Sequence, residues 1–183
     1  MFDQRKNIRL PVESAPQLIV VIDTEEEFDW NAEPDSEANG VSAMAHIDRV
    51  QDIFNEYGIQ PCYVIDYPVA SQPQGYSLLK QYADKGQCEI GAHLHPWVNP
   101  PVEEELTKPN TYPGNLPQAL ERQKLMVLRD TIRENFGSEP VAYKAGRYGF
   151  GANTTRMLQE LGFDIDLSAP HSALAEFWAN VAG

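Results

Sequence analysis

Short apolar runs alternate with amphipathic stretches along most of this chain. Each apolar run is only a few residues long and ends at polar residues, as a buried strand does. In the stretches between the runs, apolar residues recur every three or four positions, which indicates helices. This alternation is typical of an α/β fold with crossover connections and a parallel sheet. The predicted strands are residues 17–23, 59–65, 88–92, 141–145 and 163–167.

Glycines mark the ends of the predicted helices. The helices span about 44–57, 76–82, 117–136 and 153–161, and each is followed by a glycine suited to a left-handed C-cap: Gly58, Gly86, Gly137 and Gly162. Residues 68–75 contain two prolines and a glycine, and we expect a turn there. The tail from Ser172 is expected to form one more helix.

Two long polar segments are predicted to be loops. Residues 24–40 hold seven acidic side chains and are expected to cover the end of the first strand. Residues 96–116 contain five prolines. They are longer than a structural connection needs, so we expect them to contact a substrate. Residues 1–16 are polar and are interpreted as a leader with little structure, followed by one domain over residues 17–183.

Polar side chains follow each predicted strand where it ends. In parallel α/β folds, whether barrel or open sheet, the carboxyl ends of the strands form the edge where sites are built. Chance can place one or two polar groups there, but here all five strands have them. The residues concerned are Asp23, Asp66, His93 with His95, Lys144 with Arg147, and Asp166.

The third strand delivers His93 and His95, which are two positions apart. Alternate side chains of a strand point to the same face, so both imidazoles should project together. Asp23 and Glu25 share a face in the same way at the end of the first strand. Imidazole and carboxylate suit zinc and its neighbours, and three protein ligands leave a position for water. We therefore predict a divalent metal ion, most simply zinc, held by both histidines and one carboxylate.

The acidic run after the first strand leaves the choice of carboxylate open. Asp23 lies nearest the strand and is best placed to act as a general base, whereas Glu25 reaches further and is the predicted metal ligand. Glu26, Glu27 and Asp29 are expected to face solvent, although Glu26 stays a second candidate for the ligand. The alternative for either histidine is an ordinary polar group at a strand end.

Composition limits the classes of substrate and partner that we expect for this protein. The chain has 183 residues, enough for one domain, and a formal charge of −13, which argues against nucleic acid and favours a neutral or cationic substrate. Cys62 and Cys88 lie in apolar runs and are interpreted as core residues. No apolar run approaches the length of a membrane span, and the charged N-terminus lacks the apolar segment of a secretory signal. A soluble, cytoplasmic protein without a membrane partner is expected; the oligomeric state is not predicted.

Three segments resemble, in order and spacing, the first three motifs of the polysaccharide deacetylases with a NodB-homology domain (carbohydrate esterase family 4), and specifically the WalW-like branch. They are residues 22–25 (IDTE), 89–97 (EIGAHLHPW) and 143–149 (YKAGRYG). The resemblance implies an irregular (β/α) barrel, a divalent metal and hydrolysis of acetamide or similar groups. It also implies that Asp23 is the base, that Glu25, His93 and His95 are the ligands, and that a basic residue of the third motif orients the base.

The chain departs from the family pattern at several positions. The first motif has Asp23-Thr24-Glu25 where adjacent aspartates are usual, a variant known in amidase-like members. The position of the usual second histidine holds Trp97. Lys144 stands where an arginine is expected, so Lys144 and Arg147 are both candidates for orienting the base. His171 comes too early to match the general acid, which is left unassigned.

An α/β barrel normally takes about 250 residues. We therefore expect an incomplete barrel of about five β/α units, lacking its C-terminal strands, or a sheet that stays open. The aromatic residues expected to contact sugar rings are Trp97, Tyr112 and Tyr148, with Trp30 and Tyr67 nearby.

The function expected is hydrolysis of a non-peptide C–N bond, most simply deacetylation of an N-acetylated polysaccharide or sugar. The alternatives are an amidohydrolase for small amides and a carbohydrate-binding remnant that has lost catalysis. Non-haem iron oxygenases use a similar ligand set, but the alternating β and α segments argue against that class.

Overall fold

The structure, a computed structural model, describes residue 11 and residues 15–168. Within these residues, five parallel strands form one sheet whose spatial order is the same as their order in the chain. This arrangement confirms the predicted α/β class. The strands are β1 (Val21–Thr24), β2 (Cys62–Ile65), β3 (Glu89–Leu94), β4 (Ala142–Ala145) and β5 (Ile165–Asp166).

Five α-helices connect the described strands. They are α1 (Asp48–Tyr57), α2 (Tyr67–Ser71), α3 (Pro73–Asp84), α4 (Gln118–Phe136) and α5 (Thr154–Glu160). The cap glycines behave as predicted: Gly58 and Gly137 have φ values of 63° and 81° directly after α1 and α4. Short 3-10 turns lie in the loops, at Ser42–His46, Pro96–Val98, Pro109–Thr111, Pro113–Asn115 and Gly146–Tyr148. The helix expected from Ser172 lies outside the described residues.

The turn predicted for residues 68–75 is wrong, because this segment holds α2 and the beginning of α3. Pro68 and Pro73 each lie in the first turn of a helix, where a missing backbone N–H costs nothing. The Asp66 carboxylate caps α2 by accepting a hydrogen bond from the Val69 backbone N–H at 2.9 Å. The two prolines therefore mark helix starts rather than a turn.

All five strands differ in length from their predictions, β4 by one residue, and the first and third strands matter most for the site. β1 begins at Val21 rather than residue 17, and Leu18 and Ile19 are 76% and 78% exposed. Within residues 15–168, β1 pairs with β2 alone, so no second neighbour from this part of the chain extends it. β3 continues through Leu94, two residues further than predicted, which places His93 inside the strand.

The core lies between the sheet and the helices. The predicted stripe of α4 is buried, including Leu128 and Ile132, and it packs in one cluster with β3 and β4. Cys88 is buried and Cys62 is half-buried, both as free thiols. Burial raises the pKa of Cys88 to about 12 and that of Cys62 to about 11, as expected for unreactive core residues. No helix in the described part of the chain is both long and apolar enough to cross a bilayer.

A buried lysine of α4 anchors the loop that follows β3. The Lys124 ammonium is fully buried and donates to the carbonyl oxygens of Pro96, at 2.9 Å, and Asn99, at 2.7 Å. It also lies 3.1 Å from a carboxylate oxygen of Glu104, which is 5% exposed. Because this loop carries Trp97, Lys124 connects the core to the edge where the site lies.

Replacing Lys124 by Met should lower the free energy of unfolding by about 3 kcal/mol, because it leaves a buried carboxylate and two carbonyls without their cation. Urea denaturation followed by circular dichroism measures this change. The matched control is Lys80→Met, which removes an exposed pair with Asp84 on α3 and should cost about 0.5 kcal/mol or less. Equal losses in the two variants would contradict the anchoring role.

Candidate metal centre

Glu25, His93 and His95 meet at the carboxyl edge of the sheet. The Oε2 atom of Glu25 lies 3.3 Å from the Nε2 atom of His93 and 3.3 Å from the Nε2 atom of His95. His93 and His95 are 3% and 1% exposed, whereas the Glu25 side chain is 26% exposed. The structure thus brings together the three residues that the sequence suggested as ligands, with the carboxylate on the open side.

A hydrogen bond at Nδ1, the ring nitrogen that does not face Glu25, orients each imidazole. The Nδ1 atom of His93 lies 3.0 Å from the carbonyl oxygen of Lys144, and the Nδ1 atom of His95 lies 2.8 Å from Oε2 of Glu26. Both partners can accept a hydrogen bond, so Nδ1 is the natural position of the proton in a neutral ring, and this tautomer leaves Nε2 available to bind a cation. Burial is the main cause that lowers the pKa of His95 to about 3, which makes this ring neutral.

The donor set fits a divalent cation such as zinc. Nε2 of His95 is buried and has no hydrogen-bond partner among the described residues, as expected for a nitrogen that can bind a metal ion. Burial raises the pKa of Glu25, but its contacts with His93 and His95 outweigh that effect, so the pKa is lowered overall and the carboxylate is ionised. Two imidazoles and one carboxylate form a three-residue set with an open side.

The expectation that Glu26 faces solvent is wrong. Glu26 is 2% exposed, and its backbone N–H donates to Oδ2 of Asp66 at 2.6 Å while its carboxylate meets His95. Burial raises the pKa of Glu26 and raises that of Asp66 well above its usual value. The acidic run gave no sign of this burial, because the partner of Glu26 is Asp66, which follows β2, and β2 becomes the neighbour of β1 only in the folded sheet. Glu26, Asp66 and His95 also form a compact group, although it is fully enclosed.

Replacing Glu26 by Gln should weaken metal binding by roughly 10–100-fold, because the acceptor that holds the Nδ1 proton of His95 loses its charge. Competition titration of zinc against a chelator measures the affinity. Glu27→Gln is the matched control, since Glu27 is the exposed neighbour and lies outside the group. An unchanged zinc affinity in Glu26→Gln would contradict the supporting role.

Asp23 and Lys144 form a close ion pair across the same edge. Nζ of Lys144 donates to Oδ1 of Asp23 at 2.7 Å and to Oδ2 at 2.5 Å. β3 pairs with β4 so that Lys144 lies opposite His93, which places the pair beside the histidines. Of the two basic residues left open by the sequence, it is Lys144 that contacts Asp23. The guanidinium of Arg147 instead lies 5.0 Å from the Trp30 ring and 5.2 Å from the Tyr112 ring.

The aromatic residues differ in their access to the site. Trp97 is 3% exposed and stacks on His95, with ring centroids 4.3 Å apart. Tyr148 is 44% exposed and lies under the Lys144 ammonium, whose Nζ is 4.8 Å from the ring centroid. Gly146 approaches the His95 ring so closely that a Cβ there would lie 2.6 Å from Cδ2 of the imidazole. Trp97 and Gly146 therefore enclose His95 from two sides.

The chain matches no protein-family model and no curated protein. Solved structures do match it. A protein assigned as a polysaccharide deacetylase from Mycobacterium smegmatis aligns with 81% of this chain and 49% of its own, at 17% identity and a TM-score of 0.57. IcaB from Ammonifex degensii aligns over 91% and 66%, at 19% identity and a TM-score of 0.55. A CE4 family pseudoenzyme from Bacillus anthracis aligns over 83% and 44%, at 10% identity and a TM-score of 0.53.

The chain has the polysaccharide deacetylase fold. It spans about half to two thirds of the length of these structures, so the expectation of an incomplete barrel is consistent with the match. Identities of 10–19% establish the fold and not the activity. The WalW-like branch stays a prediction.

Proposed function

We propose that this protein is a metal-dependent hydrolase of non-peptide C–N bonds that removes acetyl groups from an N-acetylated sugar or polysaccharide. The observation that carries the proposal is the convergence of the Glu25 carboxylate with two Nε2 atoms at 3.3 Å each. The polysaccharide deacetylase fold supports it, because the group lies at the strand edge where this fold class builds its sites.

The proposed roles follow from position. Glu25, His93 and His95 would hold the metal, which when bound supplies a Lewis acid and lowers the pKa of a water molecule. Asp23 lies beside this group and accepts a proton from the attacking water. Lys144 holds the Asp23 carboxylate in place through both of its oxygens. A lysine presents a point charge rather than a planar fork, so it constrains the carboxylate less than an arginine would.

The reaction consumes one water molecule for each acetyl group. The water oxygen bonds to the acetyl carbon, the C–N bond breaks, and acetate and a free amine are released. The amine nitrogen gains one proton of the water as the C–N bond breaks, and the second proton, lost from the acetic acid, converts the amine to its cationic ammonium form. An acidic protein with a formal charge of −13 tolerates the cationic amine product better than it would an anionic substrate.

Two other functions have an observation in their favour. The pseudoenzyme among the similar structures favours a carbohydrate-binding protein that has lost catalysis. The Asp23-Thr24-Glu25 segment, which resembles the variant of amidase-like members, favours hydrolysis of small amides. All three functions use the same fold and differ in whether a reaction takes place and on which substrate.

One assay separates these functions. Protein treated with a chelator should release no acetate from N-acetylglucosamine oligomers, and adding zinc should restore release. Small linear amides are tested on the same preparation. Zinc-dependent turnover of small amides alone would support the amidohydrolase, whereas sugar binding without acetate release in the presence of zinc would support the non-catalytic protein.

A further inference from the structure

Glu121 is a buried acid in the first turn of α4 that has no role in the proposed reaction. It is 2% exposed, and its Oε1 atom accepts a hydrogen bond from the Thr154 hydroxyl at 2.6 Å. No cation of the described residues forms an ion pair with it. Because burial disfavours the charged form of a carboxyl group, the surroundings of Glu121 are sensitive to whether it carries a proton.

Thr154 connects Glu121 to residues 146–151, the segment that follows β4. Thr154 is fully buried, and its Oγ1 atom accepts a hydrogen bond from the Gly151 backbone N–H at 2.8 Å. A hydroxyl group has one hydrogen to donate, so the contact with Glu121 fixes its orientation and turns its lone pairs toward Gly151. Gly151 is thus held by two successive hydrogen bonds that end at Glu121.

A second contact joins the beginning of α4 to the same segment. The 3-10 turn Pro113–Asn115 lies shortly before α4, and its Gly114 N–H donates to the carbonyl oxygen of Gly149 at 2.6 Å. A Cβ on Gly151 would lie 2.8 Å from Cα of Gly114, so the two backbones are in direct contact. The beginning of α4 and the 146–151 segment are therefore connected at two points.

The other end of the 146–151 segment contacts the predicted metal ligands. Gly146 packs against the His95 ring, and the carbonyl oxygen of Lys144, two residues earlier, lies 3.0 Å from Nδ1 of His93. Arg147 and Tyr148 both have positive φ values, 54° and 56°. Such backbone is costly for residues other than glycine and persists only where the surrounding structure imposes it. The contacts that hold this segment therefore also determine what surrounds the two histidines.

The cations of α4 are directed away from Glu121. Nζ of Lys124 donates to the loop that follows β3, and Nε of Arg122 lies 3.7 Å from a carboxylate oxygen of Glu160. The elements packed against α4 carry other titratable side chains, none of which forms an ion pair or hydrogen bond with Glu121. They are Tyr67 on α2, Tyr76, Lys80, Tyr82 and Asp84 on α3, and Glu89 and His93 on β3.

Tyr143 of β4 is the titratable group that faces Glu121, and it does not offset a charge there. Burial, followed by the charges of Glu121 and Asp166, raises the pKa of Tyr143 well above its usual value, so the phenol is neutral. Burial likewise raises the pKa of Glu121 to about 7, against the smaller, opposite effect of the Thr154 hydrogen bond. An ionised Glu121 would therefore have a hydroxyl group as its partner and no cation among the described residues.

We propose that Glu121 is a positioning residue that holds the 146–151 segment against the metal ligands through Thr154, and that loss of its proton loosens this hold. The protonated carboxyl is uncharged and stays buried, with its carbonyl oxygen as the acceptor for Thr154. The ionised carboxylate is more stable in water, so it favours arrangements in which the first turn of α4 opens and the Thr154 contact breaks. The importance of this hold for hydrolysis rests on the proposed function, whereas the hold itself is a property of the metal-free protein.

Urea denaturation of the metal-free protein at pH 5 and pH 8 tests the role of the proton. The folded protein keeps the proton of Glu121 up to about pH 7, whereas the unfolded chain loses it near pH 4.5, so stability falls as pH rises between these values. Relative to Glu121→Gln, whose amide is uncharged at every pH, the folding equilibrium constant of the wild type should fall about 100-fold from pH 5 to pH 8. Glu26 and Asp66 are present in both proteins, so their titration cancels. Glu134→Gln is the control, since Glu134 is exposed on α4, and it should follow the wild type.

Amide hydrogen exchange tests the positioning. The Gly151 amide is bonded to Thr154, so its protection reports whether the segment is held. In the wild type this protection, corrected for the intrinsic effect of pH on exchange, should fall about tenfold or more between pH 5 and pH 8. It should stay constant in Glu121→Gln, and it should be low at both pH values in Thr154→Val, which lacks the hydroxyl. Thr155→Val is the control, because Thr155 is the exposed neighbour on α5, and it should behave like the wild type.

The proposal is overturned if the wild type and Glu121→Gln show the same pH dependence of unfolding, or if Gly151 protection in the wild type does not change with pH. Wild-type protection in Thr154→Val would also overturn it. An NMR titration of the Glu121 carboxyl carbon in the wild type needs no substitution, and a midpoint near 4.5 would rule out the proton-linked hold. These measurements use neither zinc nor substrate. A protein that passes them but releases no acetate when loaded with zinc would sink the proposed function alone, and a protein that fails them but releases acetate would sink the positioning role alone.

Discussion

Asp23→Asn should lower kcat for acetate release by roughly 10²–10⁴-fold, the usual contribution of a positioned general base. Asparagine has nearly the same shape but cannot accept a proton from water. The three predicted metal ligands are Glu25, His93 and His95, which this substitution leaves in place, so zinc content should stay at the wild-type level. Steady-state kinetics on an N-acetylglucosamine oligomer and metal analysis of the same preparation measure both quantities.

Asp84→Asn is the control for this substitution. Asp84 is an exposed aspartate at the end of α3 whose partner is Lys80, so its loss should not change kcat. If Asp23→Asn keeps the wild-type rate, Asp23 is not the base. If it loses zinc together with activity, Asp23 acts as a ligand and the division of roles between Asp23 and Glu25 is wrong.

His93→Ala and His95→Ala should each abolish stoichiometric zinc binding. Each substitution removes one of the three donors to the metal. The loss of metal affinity should therefore exceed the roughly 100-fold that can follow from changing a residue that hydrogen-bonds to a ligand. Equilibrium dialysis against zinc, followed by elemental analysis, gives the metal content. Activity should disappear in both variants, because both rings contribute a nitrogen to the same position next to Glu25.

Loss of folding must be separated from loss of metal in these variants. His95 is enclosed by Trp97 and Gly146, so His95→Ala leaves a cavity and should also lower the melting temperature of the metal-free protein. His46→Ala is the control, because His46 is exposed in the 3-10 turn before α1. Wild-type zinc content in both His93→Ala and His95→Ala would exclude the metal centre described above.

Local patterns in the sequence were enough to predict the frame of the site. A strand alternates its side chains with a period of two, so His93 and His95 had to face the same way once β3 was recognised. Parallel strands end at a common edge, so Glu25 after β1 and the histidines of β3 had to lie near that edge. The structure brings these three side chains together, and their roles as ligands stay a prediction. The cap glycines were predictable for the same reason, since a left-handed residue is a local requirement.

Other features depended on which elements became neighbours. The tertiary structure alone decided that Glu26 turns inward, because its burial depends on the position of β2, whose Asp66 accepts the Glu26 backbone N–H. It also decided that Lys144, rather than Arg147, reaches Asp23. Sequence patterns were sufficient for the alternation of strands and helices and for the polar residues at the strand ends, because both are local properties. Burial and pairing of charged side chains were decided only by packing, because the cost of burying a charge is set by the partners that surround it.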